Sequence, residues 1–166
     1  MTIYLVVPLL VIVAVLQASV VSHLSVFGVF IDLPVLIVAS WGLLEGAREG
    51  VIWGFIVGVV IDLLSGAPFG AATLSLMAVG FLAGLGKNSA FGSHVVFLAV
   101  TMFSATIVYN LLFSSIVRIS GQTVLWWDSL FRIVLPSAVL NAALMPPVFA
   151  VMRLVHRRVS REEMEW

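Results

Sequence analysis

Residues 3–21 pass without a charge, interrupted only by the polar Gln17 and Ser19, and runs of the same character recur almost to the carboxyl end. A helix needs about 20 apolar residues to cross the hydrocarbon core of a bilayer. This succession of runs constrains the fold more than any other feature. In water each run would have to be buried, and a chain of 166 residues has too little interior to bury them all. Charged residues are only 10% of the sequence and hydrophobic residues 62%, against roughly 25% charged in an ordinary soluble domain. The solvent that accepts such a chain is lipid. Disorder is excluded by the hydrophobicity. Eight basic residues balance eight acidic ones, so no basic footprint for nucleic acid exists.

Six spans would use about 120 residues and leave about 46 for loops and ends, too few for a soluble domain. The sequence predicts an all-α integral membrane protein, a compact bundle of transmembrane helices. The spans read as 3–21, 32–44, 51–64, 70–85, 95–117 and 130–154. The first carries Pro8 in its opening turns, where a lost N–H costs least. It lacks a positive amino-terminal region and a good cleavage site, so it reads as a retained span rather than a signal peptide. The second starts with Asp32 as N-cap and Pro34 just inside, a helix-start signature. The sixth contains Pro136, Pro146 and Pro147, which predict a bend or break unless neighbouring helices satisfy the freed carbonyls. Residues 1–155 then form a six-span domain, and 156–166 a short tail, basic then acidic.

With six spans both termini share one side. That side carries Arg48, Lys87, Arg153, Arg157, Arg158 and Arg161, against Arg118 and Arg132 on the other, so it is expected to be cytoplasmic. Trp126 and Trp127 fit the outer interface, and Trp41 and Trp53 the inner one.

The most informative stretch runs from Trp41 to Gly70. Glycine occupies positions 42, 46, 50, 54, 58, 66 and 70, and Asp62 fills the missing step. Residues four apart on a helix share nearly one face. Gly50, Gly54, Gly58 and Asp62 therefore form one slowly spiralling groove into which another backbone can press. Such close packing is a main attraction between helices in lipid. The pattern leaves open whether the partner is internal or another protein. Asp62 is a buried polar anchor: an acid in the membrane costs about 2.5–3.5 kcal/mol, so it faces the bundle interior or water. An interhelical hydrogen-bond role is favoured over catalysis. Ser65, Gly66, Pro68 and Gly70 make a tight outer turn. Ser75, Thr101, Ser104, Thr106, Tyr109, Asn110 and Asn141 read as hydrogen-bonding glue between helices. Asn141, and after it Tyr109 with Asn110, are the secondary candidates for something more.

Chemistry is thinly represented. The sequence has no cysteine, which excludes disulfides, thiolate metal sites and a Cys nucleophile. His23, His94 and His156 stand apart, without a second ligand at metal spacing. An intramembrane aspartyl protease needs two membrane acids, and Asp62 alone qualifies. Ser89 and His94 fall in one loop, which does not make a membrane serine protease. No phosphate loop or dinucleotide fingerprint appears, and no cofactor is implied. An enzyme is not expected.

The third and fourth spans, GVIWGFIVGVVIDLLSGAPFGAATLSLMAVGFLAG, resemble the signature of the rod shape-determining protein MreD family. That signature is a glycine-rich span ending in Asp-Leu, then a Ser-Gly-x-x-x-Gly turn into the next span. Here Gly54, Gly58, Asp62, Leu63, Ser65, Gly66 and Gly70 carry it. The resemblance implies a component of the bacterial cytoplasmic membrane, multi-pass, with both termini cytoplasmic, belonging to the cell-elongation (Rod) complex. MreC is the implied direct partner. RodA, a class B penicillin-binding protein and MreB belong to the wider complex, which organises peptidoglycan synthesis for rod shape. The implied fold resembles the S-components of energy-coupling-factor transporters. On this basis the chain is expected to be a non-enzymatic scaffold, with the single helix of MreC docking on Gly50, Gly54 and Gly58. The competing reading is an S-component-like binder of a small molecule, with Asp62, Asn110 or Trp126 lining its cavity.

Overall fold

The computed structural model describes residues 31–66, 68–88, 94–121 and 134–162, with side chains as far as His156. These residues form five α-helices: α1 (Leu33–Glu45), α2 (Ala47–Ser65), α3 (Ala71–Leu85), α4 (Val95–Ile119) and α5 (Leu135–Glu162). A 3-10 turn, Gly86–Asn88, follows α3. Each helix falls where the second to sixth runs predict one. The first run, 3–21, lies outside the described residues, as do Trp126 and Trp127. Two helices, Val95–Ile119 and Leu135–His156, are long and apolar enough to cross a membrane.

The helices run up and down between two ends. One end holds Glu45, Lys87 and His156; the other holds Asp32, Asp62 and Asn141. Helix α1 is the axis of the bundle and touches all four others. Every residue from Pro34 to Leu43 is buried. A helix enclosed on all sides has no solvent face to mark with polar residues, which is why its sequence is apolar all round. Its thirteen residues span about 20 Å. Around it, Leu36, Leu76 and Met102 from α1, α3 and α4 meet Met145 of α5, all fully buried.

The links are built to be short. Gly46 alone joins α1 to α2, at φ 109°, a left-handed conformation that glycine adopts without a Cβ penalty. Its N–H donates to the Gly42 carbonyl at 2.7 Å. Beside it the Lys87 ammonium donates to the Glu45 carbonyl at 2.5 Å. That places a cation on the free carbonyls at the end of α1, where the helix dipole is negative.

Three expectations change. Helix α5 is not broken at Pro146 and Pro147 but continues to Glu162, so residues set aside as a tail from 156 begin inside it. Trp41 and Trp53 lie toward the Glu45 end but face inward rather than outward. Both are buried and meet edge to face, with ring centroids 5.6 Å apart, because α1 and α2 fold back on each other at Gly46. Asp32 precedes α1 as predicted, with Pro34 in the first turn, but its side chain does not cap that helix.

Candidate functional site

The glycine ladder of α2 lies against α3 of the same chain. A Cβ at Gly54 would sit 2.5 Å from the Leu76 carbonyl oxygen. One at Gly50 would overlap the Gly80 carbonyl, and one at Gly58 would overlap Thr73 Cα. Moving one turn up α2 thus moves one turn down α3, and at each step backbone meets backbone. Gly42 of α1 joins at the same level: a Cβ there would stand 2.7 Å from the Gly80 carbonyl oxygen. Gly84 meets Ala47 in the same way. The expectation that Gly50, Gly54 and Gly58 receive a foreign helix is therefore corrected: α3 fills that face. The periodicity shows that a backbone approaches, and the tight turn at 65–70 delivers α3 as that backbone.

Asp62 stands at the next step of the same face, 5% exposed, where α3 begins. Its Oδ2 accepts from Gly70 N at 2.9 Å, Thr73 N at 3.0 Å and the Thr73 hydroxyl at 2.6 Å. Its Oδ1 accepts from Ala72 N at 2.9 Å. The first N–H groups of a helix have no partner within the helix. Asp62 supplies one from the preceding helix and puts a carboxylate at the positive end of the α3 dipole. The turn between them uses left-handed glycines at both corners, Gly66 at φ 64° and Gly70 at φ 99°. Between the corners Pro68 accepts from Ala71 N at 3.1 Å. Ser65 is the last residue of α2.

A second polar pair ties α1 to α5. Asn141 is fully buried; its Oδ1 accepts from Asp32 N at 3.2 Å and its Nδ2 donates to Asp32 Oδ2 at 3.3 Å. One turn earlier on α5, the buried Ser137 hydroxyl has no hydrogen-bond partner. At the opposite end His156 Nε2 lies 2.5 Å from Glu45 Oε1, and the His156 ring packs at 5.9 Å from Trp41. This clasp joins the ends of α5 and α1. Sequence reading missed it because nothing local relates residues so far apart.

The remaining polar candidates do not bridge helices by the bonds found. Ser75, Ser104, Thr106 and Asn110 each donate to the carbonyl four residues back on their own helix. Such back-bonding is the local alternative open to hydroxyls and amides in an apolar helix. Tyr109 stacks on Phe113 of its own helix, with centroids 5.8 Å apart. Among the described residues, Asp62 with Thr73 and Asn141 with Asp32 are thus the polar side chains that tie separate elements together at this end. Of the residues offered by the small-ligand reading, Asp62 has its oxygens engaged by Gly70, Ala72 and Thr73, Asn110 donates to the Thr106 carbonyl, and Trp126 lies outside the described residues.

Two apolar helices of membrane-crossing length, a backbone-to-backbone seam and a carboxylate spent on capping the next helix describe a helical bundle suited to a membrane. Compared with known families, the chain matches the model described as rod shape-determining protein MreD over residues 1–155. The chain belongs to that family, whose role is the determination of rod shape. No curated protein and no solved structure matches it.

Proposed function

We propose that this chain is a non-enzymatic scaffold of the cell-elongation machinery in the bacterial cytoplasmic membrane. In this reading it crosses the bilayer six times, with residues 3–21 as the first span and both termini in the cytoplasm. Its arrangement follows that of transporter S-components. It binds MreC directly, and through the wider complex it supports RodA, a class B penicillin-binding protein and MreB in peptidoglycan synthesis. The observation that carries the reading is the family match across 1–155. The excess of Arg and Lys at the Glu45 end supports the orientation. The geometry supports a structural role: Asp62 and Asn141 are both consumed by contacts within the chain.

Since α3 occupies the glycine face, MreC is assigned to another surface. The test is co-purification of MreC with the tagged full chain from detergent-solubilised membranes. Stoichiometric recovery is expected. Recovery at the level of an unrelated tagged membrane protein, with the chain stably expressed, overturns the assignment of MreC as a direct partner.

A further inference from the structure

A groove of about 360 Å³ lies between the start of α4 and the second half of α5. Its α5 wall includes Pro146, Phe149, Ala150 and Arg153, and Val95 of α4 faces them. Residues 146, 149, 150 and 153 follow the i, i+3, i+4, i+7 spacing of one helix face. Ala150 is small and gives the groove depth, and apolar side chains make its walls. Its size falls near the lower end of the roughly 300–1,000 Å³ typical of ligand pockets. Toward the Glu45 end its described lining includes one cation, the exposed Arg153.

Nothing within the described chain neutralises that cation. The Glu45 carboxylate at this end is taken by His156. Residues 1–30 contain no Asp or Glu, so that segment brings no anion to Arg153 whatever its place in the bundle. No described carboxylate forms an ion pair with Arg153, so the groove presents a guanidinium to the anionic end of a molecule whose remainder is apolar. The groove opens on a helix pair long and apolar enough to cross a membrane. The basic excess of the sequence lies at this same end, which suits the anionic cytoplasmic leaflet. A guanidinium offers phosphate a planar fork of donors.

We propose that this groove binds one anionic phospholipid, with its phosphate on Arg153 and an acyl chain along Pro146, Phe149 and Val95. The full chain is purified in mild detergent, loaded with phosphatidylglycerol or phosphatidylcholine, and its retained lipid measured by native mass spectrometry. Phosphatidylglycerol is expected to be retained over phosphatidylcholine. Arg153→Gln lowers phosphatidylglycerol retention about fivefold, the ratio that ~1 kcal/mol per basic residue at an anionic surface gives, and lowers that of phosphatidylcholine, whose choline already neutralises its phosphate, by less. Ala150→Phe fills the groove and lowers retention of both lipids, while Arg153→Gln, an exposed change, leaves the unfolding temperature where it was.

Equal retention of the two lipids, or retention indifferent to Arg153→Gln, overturns the proposal. So does displacement of phosphatidylglycerol by millimolar inorganic phosphate, which would make this a free-anion site. Because the chain has no cysteine, Ala150→Cys can be paired with single cysteines placed in residues 3–21. Efficient disulfide formation there would show the chain's own segment in the groove and would equally overturn the proposal.

Discussion

Replacing Asp62 tests whether one carboxylate holds the α2–α3 turn together. In Asp62→Asn, an amide whose oxygen takes the place of Oδ2 keeps the bonds from Gly70 N, Thr73 N and the Thr73 hydroxyl. Its NH₂ then faces the Ala72 N–H, donor against donor. An unsatisfied buried donor costs about 1–3 kcal/mol, and the lost charge at the α3 dipole about 0.3–1 kcal/mol more. A destabilisation of roughly 2–3 kcal/mol is expected. Asp62→Ala strands the N–H groups of Gly70, Ala72 and Thr73 together. Gly70 is half-buried, so water offsets part of that loss, and about 3–5 kcal/mol remains. Thr73→Ala removes one bond to a charged acceptor, about 1.5 kcal/mol, and adds little when Asp62 is already Ala. The assay is reversible unfolding of the full chain in bicelles, by steric trapping or denaturant titration. If Asn and Ala at position 62 both unfold within about 0.5 kcal/mol of the parent, the carboxylate is not what closes the turn, and the reasoning fails.

Gly54→Ala drives a methyl into the Leu76 carbonyl and is expected to cost about 1–3 kcal/mol; Gly66→Ala meets open space and costs about 1 kcal/mol through its left-handed φ alone. The same unfolding assay compares them, and equal effects would count against the seam. Asn141→Ala leaves the Asp32 N–H and carboxylate without their partner and is expected to destabilise by about 1–3 kcal/mol, read as a lower melting temperature in detergent. Ser137→Ala removes an orphaned buried hydroxyl and is expected to stabilise by about 1 kcal/mol in that measurement; a loss would mean that the hydroxyl has a partner.

Much of this architecture is legible in the sequence. Helices α3 and α4 begin within one residue of the predicted starts, because Gly70 and His94 sit where apolar runs resume after breakers. Periodicity also put Gly50, Gly54, Gly58 and Asp62 on one face. It could not say what fills that face, because a groove looks alike whether its guest is the next helix or another protein. The five-residue link that decides the matter acts through φ values at Gly66 and Gly70, which residue types only permit. Ser75 and Thr106 read as bridges because a sequence counts donors without showing acceptors, and the nearest acceptor is on their own helix. Glu45 and His156 meet only because α5 runs on through two prolines.

The α2–α3 seam has a mechanical corollary. Where side chains interlock, a joint can absorb an intruding methyl by turning a rotamer. Glycine has none to turn and forfeits no side-chain freedom on assembly. Such a joint is cheap to close yet brittle: it tolerates no partial fit, and any enlargement on one strand of the zip forces the two rods apart along their length. Variation in this protein should therefore accumulate on the outward faces of α2 and α3, with the line between them changing only by paired substitutions or not at all.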